Sequence, residues 1–530
     1  MLDFLKDLFL PFTNTKAIVF IVIIGFIVYF NALFNSFVWD DVSIFQNPEL
    51  LKGFNLIEMF GNNRFNVLYY RPLSAAYFTL MFQTFESNYF IYHLFQIVLH
   101  LVNSVLVYLL LKKFFKNPIA FFSSLIFLVH PVNVESVAYI SSTNAILSAF
   151  FGLFALLLVA EKSISNKKYI VIAFLIFCSL FSKETGFIFI ALIFSYVILF
   201  EKRNITYLTL ATVIPAGMYI FLNSMREPIR YSTTFFIPIQ NLSLPERLIN
   251  LPAIIMYYIK IFVFPLNMSI NQLWVVNNIS FNNFFLYIFA ILIIGGFLIW
   301  QFLLIRKHDK LYSKIFIFFI AWIIISMIPY LQIIPLQNTV ADRWLYLPVV
   351  GFIGVISVII QNIKVRNKNL IYIGIFISFL ILFLFSVRTV FRNADWENRL
   401  TLYSHDIQHE DNYQIEDMLG LALYEEKDYE QAIYHIKRST QMDPRPALSY
   451  YQLGLIYGQM QDLKTAEMYL QKSISQDPNF DLPYFALAEL TYKYKGPKEA
   501  LPIINYLVKK FPDNETYLRF QLLLEQEIEK

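Results

Sequence analysis

The sequence has 530 residues, of which 57% are hydrophobic, 18% aromatic and only 15% charged. Because the apolar residues come in runs close to the ~20 residues that cross a bilayer, this composition excludes a soluble enzyme and predicts a polytopic membrane protein. The formal net charge of +4 is uneven, since 14 basic and 22 acidic residues fall between Trp396 and Lys530. That asymmetry fits a basic, lipid-embedded part followed by an acidic part in water.

The first apolar run, from Lys16 to about Phe34, is not followed by a small-residue cleavage site. Further apolar runs come after it, so we interpret it as a retained span and not as a signal peptide. The single cysteine, Cys178, lies inside another such run. This excludes a disulfide framework and a thiolate metal site, and cysteine usage does not reveal the compartment.

Clusters of lysine and arginine between the apolar runs set the predicted topology. The positive-inside bias places five clusters, together with Lys6 and Lys16, on the cytoplasmic side. They are Lys112, Lys113 and Lys116; Lys162, Lys167 and Lys168; Lys202 and Arg203; Arg306, Lys307, Lys310 and Lys314; and Lys364, Arg366 and Lys368. Eleven spans result, with the N-terminus inside and the C-terminus outside: about 16–36, 89–112, 117–133, 143–160, 168–182, 185–200, 205–223, 283–305, 313–331, 344–362 and 369–388.

One more apolar stretch runs from about Arg247 to Pro265. Counted as a span, it would put the cluster from Arg306 to Lys314 on the outer side, against the positive-inside bias. Its flanking prolines and Lys260 also suit the bilayer surface. We therefore predict an interfacial or re-entrant helix in an outer loop.

Two adjacent carboxylates follow the first span, in the stretch Phe37-Val38-Trp39-Asp40-Asp41. An acidic pair at a membrane boundary is costly to desolvate, which makes Asp40 and Asp41 a candidate catalytic site. The alternative is a solvated loop start or a helix N-cap, a position that aspartate serves well.

Other polar side chains lie at the outward ends of the predicted spans. They are Arg71 in Tyr69-Tyr70-Arg71-Pro72, His130 and Glu135 in the stretch 130–135, Lys183 and Glu184 after the fifth span, and Asp342 and Arg343 before Trp344. Each has a structural alternative: Arg343 as an aromatic-belt anchor, Lys183 with Glu184 as an internal ion pair, and His130 as a hydrogen-bonded turn residue. All of them face one side under the predicted topology, however, and carboxylates among several cations suit an anionic lipid-phosphate donor.

The C-terminal part carries a 34-residue period. It is marked by small residues at Gly420, Gly454 and Ala488 and at Ala432, Ala466 and Ala500, and by Pro444, Pro478 and Pro512. This spacing predicts three tetratricopeptide repeats, in which small residues allow the two helices of a repeat to approach closely. Such stacks bind extended peptide in a concave groove, or alternatively serve as a structural dock or dimer surface.

The motifs W-D-D, Y-R-P-L-S, H-P-V-N-V-E-S-V-A, S-K-E-T-G and D-R-W-L-Y-L-P occur in this order ahead of the repeats. In this arrangement the sequence resembles the transmembrane and tetratricopeptide-repeat-containing O-mannosyltransferases and their bacterial relatives, over nearly the whole chain. The resemblance implies an all-α fold, with a polytopic membrane bundle of GT-C type followed by a C-terminal repeat solenoid. It implies a sugar donor linked to polyprenyl phosphate, used on the outer face.

The resemblance further implies that Asp40 or Asp41 is the general base, with Asp41 expected to be the more sensitive to substitution. It assigns donor-phosphate binding to Lys183, Arg343 and Arg71, while His130, Glu135, Glu184 and Asp342 line the site. No metal is required, although a divalent cation bridging Asp40, Glu135 and the phosphate remains an alternative. The animal members carry more repeats, so their acceptor does not transfer to this chain.

The expected domains are a membrane domain at 1–390 with its first outer loop at 37–88, a connector at 391–412, three repeats at 413–514 and a capping helix at 515–530. The expected partners are a polyprenyl-phosphate-linked sugar, a protein acceptor held by the repeats and the bilayer, with no nucleic acid. Low glycine content and an Ile, Asn, Lys and Phe bias indicate a bacterial inner membrane, with the repeats in the periplasm. The alternatives are a transferase for lipid or polysaccharide acceptors, and a non-enzymatic scaffold or transporter.

Overall fold

The computed structural model describes residues 13–46, 51, 53–61, 69–161, 164–201, 205–226, 237–363, 367–443, 445–512 and 514–529. Over these residues the chain is helical, and its single β-bridge joins Gln272 to Val340. The all-α prediction is thereby confirmed. The chain forms two compact units, one that ends at Arg399 and one that begins at Leu400 and also takes in residues 230–238.

The first unit begins with helices of the membrane part and of the first outer loop. They are α1 (Asn14–Tyr29), α2 (Asp40–Gln46), α3 (Leu56–Gly61), α4 (Pro72–Phe85), α5 (Tyr89–Leu111), α6 (Asn117–Val129), α7 (Val134–Ala138), α8 (Thr143–Val159), α9 (Asn166–Ser182), α10 (Phe187–Phe200) and α11 (Ile205–Ser224). The predicted outer loop 37–88 thus contains helices α2, α3 and α4. Helix α4 is anchored to α9, because Ser74 Oγ donates a hydrogen bond to the carbonyl oxygen of Ser182 at 2.9 Å.

Five longer helices complete this unit, namely α12 (Leu244–Val263), α13 (Leu286–His308), α14 (Lys310–Met327), α15 (Pro348–Asn362) and α16 (Lys368–Asp395). Local sequence explains where two of them start. Ser243 and Glu246 form a reciprocal capping box at the start of α12, and the Asp309 carboxylate accepts from the backbone N–H groups of Leu311 and Tyr312 at the start of α14. Both arrangements satisfy N–H groups that a helix leaves unpaired.

All eleven predicted spans fall on helices. Seven helices within the described residues are long and apolar enough to cross a membrane, and an eighth span results if the bent pair Asn117–Val129 and Pro131–Ala138 counts as one. The remaining predicted spans are shorter, such as Pro348–Asn362, so the total of eleven stays a prediction. Several of the cations that set the topology lie outside the described residues: Lys6, Lys162, Lys202, Arg203, Lys364 and Arg366.

The stretch predicted to lie at the membrane surface is helix α12. Near its start, Arg247 donates to the carbonyl oxygens of Gln332 and Ile333. Near its end, the carbonyl oxygen of Phe262 is 2.9 Å from a ring nitrogen of His130. The helix is therefore fixed to two other parts of the unit, while its predicted placement at the bilayer surface stays a prediction.

Short 3₁₀ turns interrupt the helices where the sequence motifs lie. They are Pro131–Asn133, Ile140–Ser142, Glu184–Gly186 and Asp342–Leu345. The turn after α9 explains why its motif ends in glycine: a β-carbon on Gly186 would lie 2.7 Å from the backbone nitrogen of Leu180. Only glycine permits this close approach, which folds the turn back onto α9.

The second unit consists of paired helices. After α17 (Arg399–Asp406) come α18 (Tyr413–Glu425) with α19 (Tyr429–Met442), α20 (Ala447–Gln459) with α21 (Leu463–Gln476), α22 (Leu482–Lys495) with α23 (Pro497–Lys510), and α24 (Glu515–Glu529). A β-carbon on Gly420 would lie 2.4 Å from Ile436, and one on Gly454 would lie 2.7 Å from Leu470. The 34-residue period therefore marks close helix contacts, and the predicted tetratricopeptide solenoid is confirmed. Pro444 lies outside the described residues.

Candidate active site

The two candidate catalytic carboxylates begin helix α2. The residue before them, Trp39, has a φ of +53°, a left-handed conformation that is uncommon for a large side chain. This conformation turns the chain sharply, so that neighbouring carboxylates point into different surroundings. The two acids therefore differ in what they can do.

The Asp41 side chain is buried, with no exposed surface. One of its oxygens accepts from the backbone N–H of Ser141 at 2.7 Å and from the Ser141 hydroxyl at 2.5 Å. The other accepts from the backbone N–H of Ile140 at 3.3 Å. Burial raises the pKa of Asp41 to about 7, against the lowering effect of these donors.

Asp40 is exposed. Its Oδ2 accepts a hydrogen bond from the Tyr139 hydroxyl at 2.6 Å, and its Oδ1 has no hydrogen-bond partner in the part of the chain that the structure describes. A pKa near neutrality would suit Asp41 as a base, but both of its oxygens are occupied and enclosed. Accessibility therefore favours Asp40, against the sequence-based expectation that Asp41 is the more sensitive residue.

Arg343 connects the acidic pair to a second carboxylate. Its guanidinium forms an ion pair with Glu135, which is 2% exposed, and its backbone N–H donates to the same carboxylate at 2.9 Å. The guanidinium carbon also lies 5.1 Å from the centre of the Trp39 ring, and Arg343 interacts electrostatically with Asp40. The alternative of an aromatic-belt anchor is incomplete, because the cation also has a buried carboxylate partner.

Arg71 and Glu184 form a second ion pair from residues far apart in the sequence. The guanidinium donates to both carboxylate oxygens, at 2.9 and 2.6 Å, the bidentate geometry that gives arginine pairs their specificity. Arg71 also lies over the Tyr69 ring, at 4.3 Å from its centre. Glu184 is thus paired with Arg71, and not with its neighbour Lys183 as the ion-pair alternative supposed.

Lys183 lies between these two ion pairs and is only 8% exposed. It interacts electrostatically with both cations, Arg71 and Arg343, and with their carboxylate partners. Burial, followed by the charge of Arg71, lowers the pKa of Lys183 to about 7. Among the residues that the structure describes, no carboxylate lies within ion-pair distance of its ammonium group.

The structure separates two predicted site residues from this cluster of charges. Asp342 is buried and accepts from the Tyr257 hydroxyl of α12 at 2.8 Å. His130 uses one ring nitrogen on Phe262 and accepts from the backbone N–H of Val132 with the other. These contacts match the alternative interpretation of His130 as a hydrogen-bonded turn residue.

Sequence reasoning missed Tyr139, Ser141 and Tyr257. The first two follow directly after the motif H-P-V-N-V-E-S-V-A, so a longer motif would have included them. Tyr257 carries no such signal, because it is one of many aromatic residues in an apolar stretch. Its partner Asp342 lies 85 positions away in the sequence.

A divalent cation has little support from the arrangement of the side chains. Among the described residues, no three His, Cys, Asp or Glu side chains come together as a metal site. Glu135, one of the ligands that the alternative required, is occupied by Arg343. The donors left near Asp40 do not make up a ligand set for such an ion.

Comparison with known proteins gives two family matches. The model for dolichyl-phosphate-mannose-protein mannosyltransferases matches residues 71–222, and a tetratricopeptide-repeat model matches residues 447–480. The first match contains Arg71, His130, Glu135, Lys183 and Glu184, but not the acidic pair or Arg343. It covers less than a third of the chain.

The similar curated proteins carry one description. Protein O-mannosyl-transferase TMTC3 of Homo sapiens is 24% identical over 497 residues, 84% of this chain and 53% of that protein. Protein O-mannosyl-transferase F38B6.6 of Caenorhabditis elegans is 26% identical over 73% of this chain and 57% of its own length. Human TMTC1 is 36% identical over 141 residues, 24% of this chain and 16% of that protein.

These matches confirm the resemblance that the motifs indicated. The chain is a multi-pass membrane protein with a tetratricopeptide tail, similar to protein O-mannosyltransferases over most of its length. It spans about half the length of the curated relatives that cover most of it.

Proposed function

We propose that this chain is a membrane glycosyltransferase that moves mannose or another hexose from polyprenyl phosphate to a protein hydroxyl group. The observation that carries the proposal is an open carboxylate, Asp40, beside a buried cluster with an excess of positive charge. That cluster contains three cations and two carboxylates. Such a site suits a reaction that deprotonates an alcohol and releases a phosphate.

The excess positive charge comes from Lys183. Two of the cations, Arg71 and Arg343, are already paired with Glu184 and Glu135, whereas Lys183 is buried without a carboxylate partner within reach. An ammonium group in these surroundings is stabilised by an anion that enters the site. We assign the donor phosphate to this position, with Arg71 and Arg343 as further donors of hydrogen bonds.

The reaction is a single displacement at the sugar. Asp40 takes the proton of the acceptor hydroxyl as that oxygen forms a bond to C1 of the sugar. The bond between C1 and the phosphate oxygen breaks, and polyprenyl phosphate leaves with its negative charge held by the cations. Attack from the face opposite the leaving group inverts the anomeric centre.

The scheme uses no metal ion. Lys183, Arg71 and Arg343 provide the positive charge that a divalent cation supplies to phosphates in other enzymes. Transfer is therefore proposed to persist in the presence of a chelator. The alternative ion between Asp40 and Glu135 would make transfer depend on added divalent metal.

The tail is proposed to hold the protein acceptor. Tetratricopeptide stacks present an extended concave surface suited to peptides, and its chemistry lies apart from the residues of the membrane unit that we assign to the donor. An acceptor that is a lipid or a polysaccharide would use the same donor site and would leave the repeats as a dock.

Transfer by the purified full-length chain tests this proposal. With polyprenyl-phosphate-linked mannose labelled in the sugar, and an extract of periplasmic proteins, we expect label on protein that alkaline elimination releases from serine or threonine. Label found only in a lipid or polysaccharide fraction would overturn the proposed acceptor. Absence of label from every fraction, with several hexose donors tried, would overturn the enzymatic proposal itself.

We also propose that the chain resides in a bacterial inner membrane with the repeats in the periplasm. A reporter that is active only in the periplasm, fused after Lys530, should then work, and a reporter active only in the cytoplasm should not. The positive-inside bias of the clusters between spans supports this orientation. A fusion of each reporter after Lys116, in a predicted cytoplasmic loop, is the matched control and should give the opposite result. Activity of the cytoplasmic reporter at Lys530 would reverse the topology.

A further inference from the structure

Tyr139 makes more contacts to the candidate catalytic groups than any single motif explains. Its hydroxyl donates to Asp40 Oδ2 at 2.6 Å. Its ring stacks on Trp39, with centroids 5.2 Å apart and planes at 21°, and packs against Trp396 at 5.9 Å. This residue follows the last helical residue of α7 and belongs to none of the motifs that indicated the function.

We propose that Tyr139 is the positioning residue that makes Asp40, and not Asp41, the base of the transfer reaction. This inference rests on the proposed function. It adds the reason why two adjacent aspartates have different roles, and it identifies a residue outside the recognised motifs as the cause.

The hydroxyl of Tyr139 fixes the orientation of the Asp40 carboxylate. A tyrosine hydroxyl has a single proton to donate, and here it is directed to Oδ2. That bond leaves Oδ1 as the oxygen available to an acceptor hydroxyl. A carboxylate held in one orientation reaches the reacting proton more often than one that rotates freely, which is the benefit of pre-organisation.

The ring of Tyr139 stabilises the turn that exposes Asp40. Trp39 is held in its left-handed conformation between the Tyr139 ring and the Arg343 guanidinium. A conformation of this kind costs about 1–3 kcal/mol and persists only where neighbouring groups enforce it. The stack therefore supplies part of the support that keeps Asp40 at the surface of the site.

The same short segment also holds Asp41 in its buried position. The two residues after Tyr139 provide the donors to Asp41, namely the backbone N–H of Ile140 and the N–H and hydroxyl of Ser141. Three consecutive residues thus bind one carboxylate at a single oxygen and enclose the other at both. The division of roles between the two acids follows from this arrangement.

The test removes the hydroxyl and keeps the ring, with the variant Tyr139→Phe. A lost hydrogen bond to a charged group lowers kcat about 10- to 100-fold, and donor affinity stays within about twofold because the phosphate contacts are untouched. The matched control is Tyr92→Phe, which removes another partly buried hydroxyl of the outer region, one that donates only to the backbone carbonyl of Glu86. The control should retain the kcat of the unmodified protein.

A double variant separates positioning from general support of the fold. If Tyr139 acts through Asp40, adding Tyr139→Phe to Asp40→Asn should cost no further activity beyond about twofold. A loss in the double variant equal to the product of the two single losses would overturn the inference. So would full activity of Tyr139→Phe, while inactivity of the unmodified chain with every donor would instead reject the proposed function.

Discussion

Asp40→Asn is expected to lower turnover about 10²–10⁴-fold, the range for loss of a positioned proton acceptor. The substitution preserves volume, and Asp40 is exposed, so the variant should express and fold like the unmodified protein. Donor affinity should change little, because the cations that we assign to the phosphate are unaffected. Turnover is measured by sugar transfer to protein, and folding by thermal unfolding in detergent.

The matched control is Asp41→Asn, in which the same change is made one residue later. An asparagine amide there would place a donor against the N–H groups of Ile140 or Ser141, so that variant should lose stability, by about 1–3 kcal/mol for hydrogen bonds that can no longer form. Where it remains folded, it should retain more activity than Asp40→Asn. Activity lost in a stable Asp41→Asn protein and kept in Asp40→Asn would exchange the roles of the two acids. Full activity in both would contradict the mechanism.

Lys183→Met is expected to weaken donor binding about 10- to 100-fold, the effect of losing one charge-assisted hydrogen bond to a phosphate. It should also change how binding depends on pH. Burial and the charge of Arg71 lower the pKa of Lys183 to about 7, so this ammonium group is charged below pH 7 and mostly neutral above it. Above pH 7 the unmodified protein must take up a proton when the donor binds.

Donor affinity of the unmodified protein should therefore fall by up to about tenfold per pH unit above pH 7, and the methionine variant should show no such slope. Titration calorimetry between pH 6 and pH 8.5, in buffers of different ionisation enthalpy, measures both the affinity and the proton uptake. Lys168→Met provides the control, since that lysine forms a half-exposed pair with Glu161 and such pairs contribute little. An unchanged pH slope in the Lys183 variant would show that another group takes up the proton.

Arg343→Ala illustrates what the sequence does not reveal about such tests. From the motif alone, this variant was expected to weaken donor binding and turnover together. The structure shows that its removal would also leave Glu135, 2% exposed, as a buried carboxylate without its cation. Loss of one partner of a buried pair is strongly destabilising, so the fold and the donor site would be disturbed together. Lys183 is the cleaner position because it has no such partner.

The helical repeats and the apolar helices were predictable because their signals are local and periodic. Gly420 and Gly454 recur at the spacing of one repeat, and each meets the helix that follows it. The candidate site was predictable only in part. The motifs identified its residue types and the side of the membrane on which they lie, but pairings such as Arg71 with Glu184, 113 residues apart, have no periodic signature.

The choice between Asp40 and Asp41 shows the same limit on a smaller scale. The two acids are adjacent and chemically identical, and no property of their own sequence separates them. What separates them is the segment from Tyr139 to Ser141, about a hundred residues later. Tertiary contacts of this kind decide which side chain is available, and a single sequence contains no direct record of them.

The surplus of positive charge around Lys183 has a consequence for the order of events in a reaction cycle. A sugar linked to a polyprenyl carrier is a phosphodiester with one negative charge, whereas the released carrier is a monoester with nearly two near neutral pH. Cations that neutralise one charge attract the doubly charged species more strongly. The spent carrier, and not the fresh donor, is therefore the species that this pocket retains, so departure of the carrier becomes the slow step and free polyprenyl phosphate acts as a product inhibitor.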